Sequence, residues 1–181
     1  LNPFPQVPEL ETQCGVFLVT ANRVIKTICA LAREFIPLDG SDSNFEHLGR
    51  KIEGVIGSKS SLTSFVKNNN NCVRYLIDLR NSHEHPNEKP RTIIENFRLM
   101  PDSTVQVPVW HLSGEEPQPI KEEMNDAIKF LMELVEGMLI HLVMHSVSRN
   151  FPYIIQETPD DQLDANVPIK YRLSLGLRRQ R

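Results

Sequence analysis

The amino-acid sequence predicts a mainly α fold: an up-and-down helical bundle with a β-hairpin insertion and a C-terminal extended segment. Three observations carry this expectation. Apolar residues recur at three- and four-residue spacing from Glu9 to Phe35 and again from Ile120 to Val147, the period that turns one stripe of a helix towards a core. Between them, the valines at 105, 107 and 109 alternate with other residues, the two-residue period of a strand. A chain of 181 residues that is 40% hydrophobic and 24% charged is also large and apolar enough to bury one globular core.

Taken in order, the first helix carries Cys14, Phe17, Leu18, Ala21, Val24, Ile25, Ile28, Leu31 and Phe35, and Pro37 and Gly40 end it. Ser41, Asp42 and Ser43 supply caps for a second helix bearing Phe45, Leu48, Ile52 and Ile56, with Gly57 as its stop. A short third helix follows from Ser61. Asparagines 68 to 71 are poor helix interior and good turn material, so the next helix is expected to start near Cys72 and run to about Ser82. Pro86 disfavours helical geometry at His85. Residues 96–100, a Pro101-Asp102-Ser103 turn and residues 104–110 read as the hairpin, an insertion over about 96–111. The long helix aligns Ile120, Met124, Ile128, Leu131, Leu134, Val135, Met138 and Leu142 along one stripe. Beyond Pro152, Ile169, Tyr171, Leu173 and Leu175 alternate with Lys170, Arg172 and Ser174 as in a half-buried strand. The expected organisation is a helical domain over 1–150 and an extension over 151–181 that packs on it.

Several function classes are set aside by composition and spacing. Cys14, Cys29 and Cys72 are odd in number and widely spaced, so neither a disulfide framework nor a cysteine zinc site is expected, which fits a reducing compartment. Cys72 is read as a small buried residue. No apolar run is expected to approach the roughly 20 residues that span a bilayer, and Leu1 to Pro5 lack the charged and apolar regions of a signal peptide. A soluble, cytoplasmic chain without a membrane partner is therefore expected. The formal net charge of −3 gives no broad basic field, so any nucleic-acid contact should be local. Gly54 and Gly57 make no phosphate-binding loop, and His141 and His145 lack the intervening Glu of a zinc protease, reading instead as a core-edge pair. No metal and no cofactor are expected. Phe97 and Trp110 are read as packed against a helix rather than free to stack bases, and Arg178, Arg179 and Arg181 as a solvated tail.

One constellation remains. Val73, Leu76 and Ile77 share a helix face, and Arg80 follows the last two by four and three residues, so a guanidinium rises from an apolar stripe. Its plain reading is an Arg whose stem covers the core edge or pairs with Asp78 or Glu34. Yet Arg80-Asn81-Ser82-His83-Glu84-His85 sets a fixed cation, an amide and two imidazoles within one and a half turns. Arg matches phosphate oxygens with a planar charged fork, and His exchanges protons near neutrality, a pairing suited to phosphodiester cleavage. Residues five apart on an ideal helix are offset by about 140°, so a helix break at Pro86 or a second subunit is needed to bring Arg80 and His85 together.

Arg80-Asn81-x-x-x-His85, placed at a helix end, resembles the hallmark of the HEPN superfamily of helical domains, and the helical layout of residues 9–147 follows it loosely. The resemblance implies a homodimer with the two motifs facing each other and, in active members, metal-independent RNA cleavage of the toxin or defence type, with an antitoxin or other protein partner. Carried over, Arg80 would hold the phosphate, His85 would move a proton, Asn81 would orient the site, and His83 would bind substrate. Other members are non-catalytic interaction or scaffolding domains, and both readings stand at the level of sequence.

Overall fold

A computed structural model of the chain describes residues 5–40, 44–85, 90–147, 153–164 and 169–175. The expected caps at Ser41 to Ser43, the proline at 86 and the basic tail lie outside those residues. The fold is mainly α. Among the described residues there are four helices, α1 (Leu10–Phe35), α2 (Phe45–Ile56), α3 (Ser61–Glu84) and α4 (Ile120–Ser146). Short strands accompany them: β1 (Thr92–Glu95), β2 (Arg98–Leu99), β3 (Val105–Gln106), β4 (Val109–Leu112), β5 (Gln118–Pro119), β6 (Tyr153–Glu157) and β7 (Tyr171–Leu175).

Four sequence expectations are corrected. The helix foreseen from Cys72 begins at Ser61 and runs unbroken through the four asparagines. Leu62, Val66 and Val73 are buried along it, so packing of one continuous face outweighs the poor propensity of Asn, and the Asn69 amide donates to the Phe65 carbonyl at 2.8 Å. The N-cap of α2 is Asn44, whose Oδ1 accepts from the Glu46 and His47 amides; Gly57, at φ 87°, ends the helix as expected. On α4, Ile128 and Val135 are exposed, and the buried stripe passes through Ala127, Leu131, Leu134, Met138 and Leu142 instead. Finally, α1 is long and apolar enough, by length and composition alone, to cross a membrane, with mean hydropathy 1.5 over an 18-residue window. Helices that serve as protein cores pass the same test, and Cys14, Leu18, Ala21, Ile25, Ile28 and Ala32 of α1 are buried.

Contacts divide the chain into two compact units. In the first, residues 1–27 and 70–131, the sheet has the order β1-β4-β5, antiparallel throughout, with Ile94 opposite Trp110 and Trp110 opposite Gln118. The foreseen hairpin is present but short, Arg98 facing Gln106 across a turn in which the Thr104 amide and hydroxyl both donate to Asp102 Oδ1. Its second arm breaks, and residues 109–112 pair with β1, a strand the sequence reading missed. Trp110, completely buried, anchors a core with Cys14, Leu18, Leu79, Leu112 and Ile120, its ring 6.0 Å from that of Phe17. No nucleobase can reach it.

The second unit, residues 28–69 and 132–181, buries Ile28, Ile36, Phe45, Ile52, Leu62 and Leu134 among others. There α3 and α4 approach closely: a Cβ on Gly137 would lie 2.5 Å from the Phe65 ring, so glycine is what admits that ring. The strand foreseen at 169–175 forms as β7 and pairs antiparallel with β6. Lys170 holds this hairpin to α4, its amide and that of Tyr171 donating to Glu136 Oε1 at 2.7 and 3.0 Å while its ammonium pairs with Glu133. An isolated two-stranded hairpin is marginal in water, and such anchoring compensates.

Candidate functional site

The motif occupies the last turn of α3, within the first unit. Val73, Leu76 and Leu79 turn inward, and Arg80, four residues after Leu76, lies at the edge of that face with only 25% of its side chain exposed. Its guanidinium is shared between two neighbours on the same helix. Nη1 donates to Asn81 Oδ1 at 2.9 Å, and Nη2 forms an ion pair with Glu84, one turn on. Nε is buried without a hydrogen-bond partner. The carboxylate engaged is thus neither of the two suggested by the sequence, since Asp78 pairs with Arg74 at 3.6 Å. Glu84 was not named from sequence as the partner of Arg80, although its i,i+4 spacing could have identified it.

The other motif residues diverge. His85 follows the helix, its amide still donating to the Asn81 carbonyl at 2.9 Å, and is exposed. His83 turns the other way and packs on α1: a Cβ at Gly15 would sit 2.6 Å from its Nε2. Arg80 and Asn81 are therefore bonded to each other, His85 is exposed and follows the helical hydrogen bonding rather than a break that would turn it towards Arg80, and His83 is half-buried against another helix. The beginning of β1 closes the area, with the Thr92 hydroxyl donating to the Leu79 carbonyl at 2.8 Å. The arrangement offers an oriented cation and an accessible imidazole, the two groups that phosphate binding and proton transfer need.

Elsewhere, the Cys14 and Cys29 thiols are buried and pushed up to about 11 by desolvation, which leaves them inert at neutral pH. Cys72, read from sequence as buried, is exposed because it falls on the outer side of the longer α3. His141 lies on the second unit's α4 with its ring 4.8 Å from that of Phe65; its Nδ1 is buried without a partner, and burial lowers its pKa. His145 is exposed. Among the described residues, no group of three or more His, Cys, Asp or Glu is arranged to hold a metal ion.

Sequence reasoning missed a groove of about 380 Å³ between α3 and the start of α4 in the first unit. Its surface is almost wholly apolar, with Tyr75, Leu76, Ala127 and Phe130 among the residues that line it, and Glu123 and Asp126 are the carboxylates among them. The only signal in the sequence is the spacing of Glu123, Asp126, Ala127 and Phe130 on one side of α4, and nothing in it says that Tyr75 lies opposite. Comparison with protein-family models, with curated proteins and with solved structures gave no match.

Proposed function

We propose that the chain is a HEPN-like, RNA-binding helical bundle that acts in the cytoplasm as a homodimer and cleaves RNA without a metal, in the manner of a toxin or defence nuclease. The observation that carries this reading is the hydrogen bond from Arg80 to Asn81 at the end of α3, with His85 exposed as the residue that follows the helix. The amide fixes the orientation of the guanidinium, which is the role the motif asks of it. Arg80 then binds the scissile phosphate and stabilises its developing charge, while His85 takes the ribose 2′-hydroxyl proton or supplies one to the leaving 5′-oxygen. Attack by the 2′-oxygen on phosphorus expels the 5′-oxygen and leaves a 2′,3′-cyclic phosphate. His83, held on α1, serves this site by positioning the helix end rather than by touching substrate.

A second reading has its own observation. Glu84 already neutralises Arg80, as expected where Arg is structural and the chain is a non-catalytic interaction or scaffolding domain. On the nuclease reading, RNA phosphate must displace Glu84. The discriminating experiment incubates a mixed RNA pool in EDTA with wild type, Arg80→Ala, His85→Ala and Glu84→Gln, and identifies product ends. Cyclic phosphate ends, lost in the first two variants and increased in the third, support the nuclease. Absence of cleavage by all four folded proteins leaves the interaction domain.

A further inference from the structure

We propose that the groove between α3 and α4 in the first unit binds a small organic ammonium ion. Its volume of about 380 Å³ falls within the roughly 300–1,000 Å³ typical of small-molecule sites. Two aromatic rings, Tyr75 and Phe130, line it together with Leu76 and Ala127, and two carboxylates, Glu123 and Asp126, share the same lining. Among the described residues, no Lys or Arg lines it. Aromatic rings present negative π faces to a cation, and carboxylates add a full charge, so the combination selects a positive head on an apolar body and repels anions.

The groups are held ready. The Glu123 carboxylate lies near the Tyr75 hydroxyl, and burial, reinforced by that carboxylate, pushes the phenol up to about 12, so it remains a donor at any physiological pH. Tyr75 is also packed against the first unit's core, which fixes its ring. Asp126 pairs with Lys129 at 3.6 Å, but those side chains are 76% and 74% exposed, and such a pair is weak enough for a bound ammonium to replace it. Cys72 borders the groove as an exposed thiol and reports on its occupancy. The proposal is independent of the RNA reading, because an acidic groove has no use for phosphate.

The test titrates the full chain with phenethylammonium and, as the neutral match of the same shape, 2-phenylethanol, by calorimetry. A second readout is the rate at which N-ethylmaleimide alkylates Cys72. Phenethylammonium should bind at least about tenfold more tightly than the alcohol and slow the alkylation, and Glu123→Gln with Asp126→Asn should remove that preference. Equal binding of the two probes, or failure of the ammonium to bind at millimolar concentration, overturns the proposal. Should the double variant not fold, the comparison of charged and neutral probes on the wild type decides alone.

Discussion

At Arg80 the guanidinium holds two partners at once, Asn81 at Nη1 and Glu84 at Nη2, and the strength of the second decides what the residue can do. The i,i+4 pair with Glu84 lies in the last helical turn, about a third exposed on the acidic side, where such pairs contribute on the order of 0.5 kcal/mol. Glu84→Gln should therefore lower the urea-derived stability by less than about 1 kcal/mol while strengthening RNA binding, measured by filter retention. An equal loss of stability and of RNA binding would speak for a purely structural Arg80. His141 gives a prediction of a different kind. Burial depresses its pKa in the fold, so between that value and the unfolded value near 6.5 the unfolded chain binds more protons. Stability should be unaffected by this group above pH 6.5 and should fall as pH drops through that window. His141→Phe, which also removes the orphaned Nδ1, should flatten the acid limb of urea midpoints measured against pH.

At the level of elements, α3 shows how a helix outlasts its own weak sequence. The Asn run is carried by buried neighbours on either side, so an Asn on the exposed face is a cost without a function in the fold. Asn68→Ala should stabilise the chain by about 0.5 kcal/mol in thermal unfolding, whereas a loop or N-cap at that position would make the same change destabilising. Gly137 in α4 runs the other way. Propensity alone favours Ala by about 1 kcal/mol, but a Cβ would meet the Phe65 ring, and overpacking of this sort costs about 1–3 kcal/mol. Gly137→Ala should thus lower the urea midpoint, and Gly137→Ala combined with Phe65→Leu should recover part of the loss. The asparagine cap of α2 is the more ordinary case: Asn44→Ala removes the acceptor for two amides and should cost about 1 kcal/mol.

For the whole molecule, a net charge of −3 means that RNA would not be attracted by a general field, so the proposed nuclease would recognise it by few phosphate contacts. With one Arg80 in each protomer of the proposed dimer, the logarithm of RNA affinity should fall with the logarithm of salt with a slope of only about −1.5, and Arg80→Ala should flatten it. A much steeper dependence would point to a basic surface other than the motif. The apolar residues left in solvent on α4, Ile128, Met132, Val135 and Leu139, follow a four-three-four spacing that suits contact with another helix. Because they are outside the core, Val135→Lys should leave the unfolding midpoint within about 0.5 kcal/mol of wild type.

The local rules of the chain were sufficient for the long helices, the glycine that ends α2, the turn at 101–103 and the strand at 171–175, because periodicity, backbone freedom and turn chemistry act over a few neighbouring residues. They were sufficient also to single out Arg80, Asn81 and His85 as chemically suited to one another. What they could not weigh was contact between residues far apart in sequence. Continuous burial overrode the asparagines of α3, pairing with β1 drew residues 109–112 away from the simple hairpin, and close approach of α1 drew His83 off the motif. The aromatic-lined groove likewise exists only because Tyr75 and Glu123, 48 residues apart in the sequence, meet across two helices. Side-chain packing energies depend on which surfaces meet, and that is settled by tertiary structure alone.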